Sequence, residues 1–346
     1  MPLREITAKS QKIGELMVRV SNNRSRTLKV PAAECLVSIV IPVFNRPDFL
    51  RDVLDGLRHQ TTSRHRMEVL VCDDGSTEDL SEVIAAFQAS LPLLRYLRQE
   101  NRGPAAARNL GICNASADVV LFLDSDVRPK TRLVEKLLNA LQVNTNWVGA
   151  EARVDPVEGE ANVLWDAPEC YDGGVYLSAA IAYRKTILTR AGGFDESFLR
   201  AACEDVELAA RILTYGNIGF VPEACVLHPR RRKTLSMFWN KRKDWRYVLY
   251  LAQRHGFVGW PGNTTKNPRL RLLWCALVTQ PAGRVFAGLR LAWRHPGAGL
   301  VATGHAVFSW FCGLSASVDV LTATVPALHD YLSHADAGTK RVHRAA

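Results

Sequence analysis

Apolar and polar positions between about residue 36 and residue 229 follow the pattern of an α/β domain. Runs rich in Val, Ile and Leu at 37–43, 67–72 and 118–123 predict buried strands. Between them, apolar residues at 50–57 and 80–87 recur with the spacing of one helical face, and Asp48 is the predicted N-cap of the first of these helices. Strands that alternate with helices predict a mostly parallel sheet covered by helices on both faces.

Each of the three predicted strands is followed by a polar cluster: Asn45–Arg46, Asp73–Asp74 and Asp124–Asp126. Ligands of open α/β sheets bind beyond the carboxyl ends of the strands, so these clusters mark the candidate site. Alternate residues of a strand point the same way, which places Asp124 and Asp126 to offer carboxylate oxygens to one Mg²⁺ or Mn²⁺ ion. For this pair alone, an ordinary polar turn is the alternative explanation.

Six motifs occur in a fixed order along the same part of the chain. They are Pro42–Asn45, Asp73–Ser76, Gly103–Asn109, Leu123–Asp126, Gly192–Glu196 and Cys203–Glu207. In this order and approximate spacing, the chain from residue 36 to residue 229 resembles the family 2 glycosyltransferases with the GT-A fold. The resemblance implies a Rossmann-like, nucleotide-sugar-binding domain with a mixed, mostly parallel sheet.

The resemblance further implies a donor site at the strand ends. The residues implied to hold the nucleotide-sugar are Pro42, Val43, Phe44, Asn45, Arg46, Asp73, Asp74, Gly103, Arg108, Asp124 and Ser125. A carboxylate such as that of Asp74 suits this role because it accepts hydrogen bonds from a pyrimidine N–H or from ribose hydroxyls. Two alternatives stay open from the residues themselves: Asp73–Ser76 also fits an ordinary strand-to-helix turn, and Arg108 also fits a salt-bridged arginine.

A metal site and a catalytic base are implied as well. Asp126, and after it Asp124, are the expected ligands of Mn²⁺ or Mg²⁺, with His228 as a further contact to the metal or the phosphates. Asp205 matches the aspartate that takes the proton of the acceptor hydroxyl, so an inverting displacement is expected, and the adjacent Glu204 is the second expected catalytic residue. Acids at a helix start also complement the helix dipole without any catalytic role. The acceptor-side loop is implied at Gly192, Gly193, Phe194 and Asp195.

Charge divides the chain into three parts. The net charge of +10 is distributed as +4 over residues 1–34, −8 over 35–229 and +14 over 230–346. We predict a basic helical arm, a catalytic domain and a basic, mainly helical C-terminal extension within those bounds. No helix-turn-helix, zinc-finger or RNA-binding signature accompanies the basic residues, so a nucleic acid is not the expected partner.

Basic residues and tryptophans flank apolar faces in the C-terminal extension, as at 270–278 and 285–294. Helices of this composition lie in membrane interfaces and are attracted to anionic lipid, so peripheral membrane contact is expected. Residues 297–318 contain no Asp, Glu, Lys or Arg, which meets the length of a membrane span. Their glycines favour a buried or interfacial hairpin instead.

Cysteine usage and the first residues indicate the compartment. The eight cysteines are scattered without metal-ligand spacing, as in reduced proteins. Residues 1–34 lack the apolar stretch of a signal peptide. The expected location is therefore the cytoplasm, at the inner face of the cell membrane.

The leading hypothesis is a transferase that moves a sugar from a UDP-, GDP- or dTDP-sugar to a hydroxyl of a glycan or lipid-linked acceptor, in cell-envelope, polysaccharide or glycolipid synthesis. A polyprenyl-phosphate sugar transferase is the nearest alternative. A non-catalytic nucleotide- or glycan-binding module is another, although the presence of Asp74, Asp126 and Asp205 disfavours it. An oxidoreductase is disfavoured because no G-x-G-x-x-G follows the first strand.

Overall fold

A computed structural model describes residues 35–157, 165–237 and 244–255, together with 290, 301–304, 306 and 307. Within these ranges, the main sheet consists of β1 (Val37–Val43), β2 (Met67–Asp73), β3 (Leu94–Arg98), β4 (Val119–Leu123), β5 (Arg128–Pro129), β6 (Trp147–Pro156), β8 (Ala180–Arg184) and β9 (Asn217–His228). A separate two-stranded ladder joins β7 (Trp165–Asp166) to β10 (Arg231–Arg232). The order in the main sheet is β3-β2-β1-β4-β8-β6-β9-β5.

The sheet is mixed and mostly parallel, which confirms the predicted fold class. Strands β3, β2, β1 and β4 run parallel to one another, and β6 runs parallel to β9. Strand β8 is antiparallel to both of its neighbours, and the short β5 is antiparallel to β9. The carboxyl ends of β1, β2 and β4 therefore meet at one edge, where the predicted polar clusters lie.

Helices cover both faces of the sheet. They are α1 (Pro47–Arg58), α2 (Ser81–Gln88), α3 (Pro104–Asn114), α4 (Leu133–Val143), α5 (Lys185–Ala191), α6 (Glu204–Ile212) and α7 (Trp245–His255). Apolar side chains of α1, α2 and α4 pack against one face, and those of α3, α5 and α6 against the other. Because both faces are covered, every residue of β1 and β2 is buried.

The start of α1 corrects one expectation. The helix begins at Pro47, and Arg46, in the left-handed conformation, precedes it, so the prediction of Asp48 as N-cap was wrong. Proline is favoured at the first helical position because its missing N–H would have no partner there. Asp48 lies within the first turn, where its charge complements the helix dipole instead.

Helix α3 lies very close to the sheet. A Cβ atom on Gly111 would lie 2.3 Å from Cγ1 of Val40 in β1, so only glycine permits this approach. Residues three apart share a helix face, so the same contact fixes the side of α3 that carries Arg108. The helix thereby holds Arg108 rigidly at the edge where the strands end.

Helix α7 packs on the loop that precedes α6. The ring of Tyr247 stacks on that of Phe198 with centroids 5.0 Å apart, and Tyr250 meets the same ring edge-on at 5.5 Å. Leu251 packs with Val206 at the start of α6. Part of the predicted C-terminal extension therefore contacts the elements that carry the predicted acceptor-side residues. The division of the chain between residues 229 and 230 stays a prediction.

Other predictions fall on parts of the chain that the structure does not describe. The helical arm at 1–34 lies outside the described residues. The candidate membrane-surface helix at 270–278, that at 285–294 apart from residue 290, and most of the segment 297–318 lie outside them as well. Among the residues that are described, no helix has both the length and the apolar composition needed to cross a membrane.

Candidate active site

The predicted metal ligands lie together. One ligand atom from each of Asp124, Asp126 and His228 lies within 4.8 Å of the other two. Asp124 follows β4 and His228 ends β9, two strands that are not neighbours in the sheet. They meet because the chain crosses from β4 to β5, where Arg128 pairs with Leu227 of β9, and this places Asp126 beside His228. Asp126 and His228 are buried.

The ring of His228 is oriented in a way that suits a bound cation. Its Nδ1 lies 3.1 Å from the carbonyl oxygen of Pro229, a contact that requires the proton on Nδ1. The other ring nitrogen, Nε2, faces Oδ1 of Asp126 at 3.5 Å, on the side where Asp124 also offers a carboxylate oxygen. Two carboxylates and an imidazole, with the second ring nitrogen fixed by a carbonyl, therefore fit Mn²⁺ or Mg²⁺.

Two arginines contact the same carboxylate of Asp126. Nη1 of Arg46 lies 3.2 Å from Oδ2, and Nη2 of Arg231 donates to that oxygen from strand β10. Burial lowers the pKa of Arg231, and the positive charge of Arg46 lowers it further, while Asp124 opposes the shift. Positive charge therefore accumulates on the solvent side of the metal cluster.

Arg108 connects the metal cluster to the start of α6. Its guanidinium is buried and donates to Asp124 at 2.8 Å and to Glu204 at 2.9 Å. It also lies over the ring of Phe194, 5.4 Å from the centroid. Burial by itself would lower the pKa of Arg108, but the charges of Asp124 and Glu204 outweigh it and raise that pKa. The salt-bridged alternative for Arg108 is thus the arrangement present, and a direct contact with the nucleotide stays a prediction.

Glu204 and Asp205 begin helix α6 and differ in their surroundings. Glu204 is buried between Arg108 and the N–H of Ala202, which donates to it at 2.7 Å. Burial, reinforced by the neighbouring Asp205, raises the pKa of Glu204 to about 7, although Arg108 opposes the shift. Asp205 is partly exposed and accepts hydrogen bonds from the backbone N–H groups of Val206 and Ser178. Loss of hydration raises its pKa as well, against the effect of Arg108.

The loop after β1 is held in an unusual backbone conformation. Asn45 and Arg46 have φ values of 56° and 70°, a region that non-glycine residues rarely adopt. The side-chain oxygen of Asn45 accepts hydrogen bonds from the backbone N–H groups of Thr77 and Glu78, which stabilises this conformation. Pro42 and Val43 are buried within β1, so among the residues predicted to bind the donor in this segment, Phe44 and Arg46 are the exposed ones.

Asp73, the last residue of β2, and Asp74 already accept hydrogen bonds from other groups of the protein. Asp73 is fully buried and accepts hydrogen bonds from the Ser76 N–H, Tyr96 and Arg98. These hydrogen bonds of Asp73 are those of an ordered strand-to-helix turn, which was one of the two explanations of the motif Asp73–Ser76.

Asp74 holds the loop of residues 99–103, between β3 and α3, by hydrogen bonds. Its oxygens accept from the N–H groups of Arg102 and Gly103 and from the side chain of Gln99, at 2.8 to 2.9 Å. A contact from Asp73, Asp74 or Gly103 to a nucleotide stays a prediction, as does one from the buried Ser125.

The predicted acceptor-side loop is held by contacts within the protein. Gly192 and Gly193 have φ values of 83° and 70° and end α5, as a helix C-cap requires. Phe194 is buried, edge-on to Phe122 at 5.1 Å and beneath Arg108. Asp195 accepts hydrogen bonds from Tyr250 and Arg254 of α7, both at 2.8 Å. Phe194 therefore packs against Arg108, and Asp195 ties the loop to helix α7.

Some site residues could not be recognised from their motifs. Arg231 lies in a run of basic residues with nothing in its sequence to single it out. Glu151 is a charge within an apolar strand, which was a usable signal; its carboxylate accepts hydrogen bonds from the N–H groups of Gly174, Val175 and Tyr176. Glu151 thereby holds the loop before Ser178, whose backbone N–H donates to the carboxylate of Asp205.

Comparison with known proteins points to a family of transferases. The model of the family described as glycosyl transferase family 2 matches residues 38–167. The pre-mycofactocin glycosyltransferase of Mycobacterium tuberculosis is 34% identical over 236 residues, which cover 63% of this chain and 48% of that protein. The hyaluronan synthase of Pasteurella multocida is 30% identical over 229 residues, which cover 52% of this chain and 23% of that protein. This chain thus spans about half of the first relative and less of the second.

Solved structures share the fold. The mannosyltransferase PcManGT from Pyrobaculum calidifontis, in complex with GDP-Man and Mn²⁺, superposes with a TM-score of 0.55 at 17% identity, over 93% of this chain and 98% of that one. Residues 1–349 of S. aureus TarS give 0.51 at 17% identity, over 90% of both chains. The fold and the site define a GT-A α/β domain. The family model matches residues 38–167, so this part of the chain is a glycosyltransferase family 2 domain.

Proposed function

We propose that this protein is a metal-dependent, inverting glycosyltransferase that moves a sugar from a nucleotide-diphosphate donor to a hydroxyl of an acceptor. One observation carries the proposal: Arg108 joins the cluster of Asp124, Asp126 and His228 to Glu204 and its neighbour Asp205. The first group suits the diphosphate of the donor, and the second suits the acceptor hydroxyl. The reacting anomeric carbon would lie between them.

The donor half of the site is built for a charged leaving group. Asp124, Asp126 and Nε2 of His228 are the proposed ligands of Mn²⁺ or Mg²⁺, which when bound neutralises the charge that develops on the departing diphosphate. The loop of Asn45 and Arg46 borders this cluster through the contact of Arg46 with Asp126. We propose a UDP-, GDP- or dTDP-sugar as donor, and the complex of PcManGT with GDP-Man and Mn²⁺ supports this class.

The acceptor half supplies a base. Asp205 accepts the proton of the acceptor hydroxyl while that oxygen forms a bond to the anomeric carbon, and the bond from this carbon to the diphosphate breaks on the opposite face. The raised pKa of Asp205 makes its carboxylate a stronger base than an exposed aspartate. Glu204 is less suited to this role because Arg108 and the Ala202 N–H already occupy its oxygens.

The acceptor class is proposed as a glycan or a lipid-linked sugar, in polysaccharide or cell-envelope synthesis. The hyaluronan synthase among the relatives supports a glycan acceptor. The net charge of +14 in residues 230–346 supports peripheral contact with an anionic membrane surface at the inner face of the cell membrane. Such contact would bring a lipid-linked acceptor to the site.

Thermal unfolding of the full chain tests the donor site. We expect UDP, GDP or dTDP to raise the melting temperature in the presence of Mn²⁺, because a ligand at 100 times its Kd stabilises the folded state by about 2.7 kcal/mol. Asp126→Ala should abolish that shift. Asp118→Ala is the matched control, since it removes an exposed acid just before the other end of β4 and should leave the shift intact. No shift with any of the three nucleotides would contradict the proposal.

Transfer assays test the base. Asp205→Asn should retain the nucleotide-induced thermal shift while transfer to acceptor falls by about 10²- to 10⁴-fold, the usual contribution of a general base. Transfer at a near-normal rate in this variant would refute the assignment. Metal-dependent hydrolysis of the nucleotide-sugar by the unaltered protein, without acceptor, would distinguish an enzyme from a binding module.

A further inference from the structure

The carboxylate of Asp126 attracts more positive charge than it can balance. Nη1 of Arg46 lies 3.2 Å from its Oδ2, and Nη2 of Arg231 donates to the same oxygen. The nearby carboxylate of Asp124 is paired with Arg108 instead. Within this group of side chains, two guanidinium charges therefore share one carboxylate charge. A further anion beside these two guanidinium groups would balance the second charge.

Arg46 and Arg231 reach Asp126 from separate parts of the chain. Arg46 follows β1, and Arg231 lies in β10, so the two guanidinium groups approach the carboxylate as two arms. Their side chains are 43% and 46% exposed, whereas that of Asp126 is 4% exposed. Each guanidinium thus contacts Asp126 from a side chain that is partly exposed to solvent. A planar guanidinium with free N–H groups is suited to bind a second oxyanion.

Strand β10 holds Arg231 in this position. Arg231 pairs with Asp166 of β7 in the two-stranded ladder. The neighbouring basic residues are paired with acids of the β7 segment, Lys233 with Asp166 at 3.7 Å and Arg230 with Glu169 at 3.9 Å. Arg231 differs from these neighbours in directing its charge to the metal cluster. The contact with Asp126 is therefore a property of the local fold of β7 and β10.

We propose that Arg46 and Arg231 form a clamp shared between Asp126 and the diphosphate of the donor. This inference rests on the proposed function. In the arrangement seen here, the clamp rests on Oδ2 of Asp126, where it competes with any divalent cation for that oxygen. When a cation and a nucleotide diphosphate bind together, the guanidinium groups exchange the carboxylate for phosphate oxygens, to which they can donate two parallel hydrogen bonds. Arg231 thereby becomes a donor-binding residue.

The clamp predicts two changes of opposite direction in one variant. Arg231→Gln removes a competitor of the cation, so Mn²⁺ alone should bind more tightly. The same change removes a charged donor to the diphosphate, so the nucleotide should bind more weakly when Mn²⁺ is saturating. Arg232→Gln is the matched control: it removes the same charge from the adjacent, exposed position of β10, whose side chain points the opposite way.

The test uses the full chain and two titrations. Mn²⁺ alone is titrated by the loss of the electron paramagnetic resonance signal of the free ion. The nucleoside diphosphate that stabilises the protein most, and its monophosphate, are then titrated by calorimetry at saturating Mn²⁺. For Arg231→Gln we expect about threefold tighter Mn²⁺ binding and about tenfold weaker diphosphate binding, the tenfold loss matching one charged hydrogen bond. Monophosphate binding, and both titrations of Arg232→Gln, should change less than twofold.

Each outcome decides between explanations. If the unaltered protein binds no nucleoside diphosphate, the proposed function fails. If it binds one but Arg231→Gln behaves like Arg232→Gln, or binds both Mn²⁺ and diphosphate more weakly, the clamp is refuted while the function stands. Arg231→Lys keeps the charge without the fork and should match the unaltered protein for Mn²⁺ alone, with diphosphate affinity between those of the unaltered protein and Arg231→Gln. Circular dichroism spectra confirm that the variants fold.

Discussion

Replacing Arg108 by methionine tests whether one buried cation holds the two halves of the site together. Methionine keeps most of the apolar stem of arginine and its contact with Phe194, but it removes the guanidinium that bridges Asp124 and Glu204. Asp124 and Glu204 would then each lose the ion pair with Arg108. The expected result is a large loss of stability that does not come from a cavity.

The structure sets the size of this loss. The side chains of Arg108 and Glu204 are each 3% exposed, so the variant leaves a carboxylate buried and unpaired, which costs about 3–5 kcal/mol. The pair with Asp124 contributes less, because Asp124 is 29% exposed and water replaces part of the lost contact. At roughly 2–4 °C for each kcal/mol in a domain of this size, the melting temperature should fall by about 6–20 °C.

A double-mutant cycle separates the ion pair from other effects. Urea unfolding at a pH well above the pKa of about 7 of Glu204, where its carboxylate is charged, would compare the unaltered chain with Arg108→Met, Glu204→Gln and the combination of the two. The combined variant should be less destabilised than the sum of the single variants by about 1–3 kcal/mol, because the stranded charge is gone. Arg102→Met is the control, since its ion pair with Glu196 is exposed and should contribute less than about 1 kcal/mol. A loss no larger than this control, or strict additivity, would refute the reasoning.

Two further predictions concern the supports of the site. Gly193→Ala should lower the free energy of unfolding in urea by about 2–3 kcal/mol, because its φ of 70° is strained for alanine and the added Cβ would lie 2.6 Å from Oδ1 of Asn109. The control Gly192→Ala, with a φ of 83° and open space around it, should cost about 1 kcal/mol. Equal losses in the two variants would contradict the predicted clash with Asn109. Burial by itself would raise the pKa of Glu207, but His255 and Arg211 outweigh it and lower that pKa to about 2. Because this folded-state pKa lies below the ordinary value of 4.5, the stabilisation is present above about pH 4.5 and is lost as the pH falls toward 2. The free energy of unfolding should therefore depend less on pH in Glu207→Gln over that range. An unchanged slope would contradict the lowered pKa of Glu207.

The fold was predictable where apolar periodicity is long. Strands β1 and β2 are seven-residue runs buried along their whole length, and such runs are visible in a sequence. Strands β5, β7 and β10 have two residues each, which is too short for any periodicity, so they were not predicted. Yet β5 brings Asp126 to His228. The short strands that position the site are therefore the elements that pattern alone does not reveal.

Site residues were predictable as chemical types but not as partners. The acids at Asp73 and Asp74 were visible after β2, but a sequence does not show that backbone N–H groups and neighbouring side chains already occupy their oxygens. The pairing of Arg231 with Asp126 joins residues 105 positions apart and depends on the ladder of β7 and β10. Such contacts follow from tertiary packing, which no local motif encodes.

Charges of opposite sign alternate through the candidate site, and this order explains how so many acids lie close together. Arg231 and Arg46 contact Asp126, Asp124 contacts Arg108, and Arg108 contacts Glu204, which lies beside Asp205. Without the arginines, these carboxylates would repel one another in a region of low dielectric constant. Because Arg108 is shared between Asp124 and Glu204, a charge added beside one of these carboxylates changes its preference between the two. We therefore expect cation binding at Asp124 and Asp126 to weaken the hold of Asp124 on Arg108 and to strengthen that of Glu204, which couples the donor half to the acceptor half.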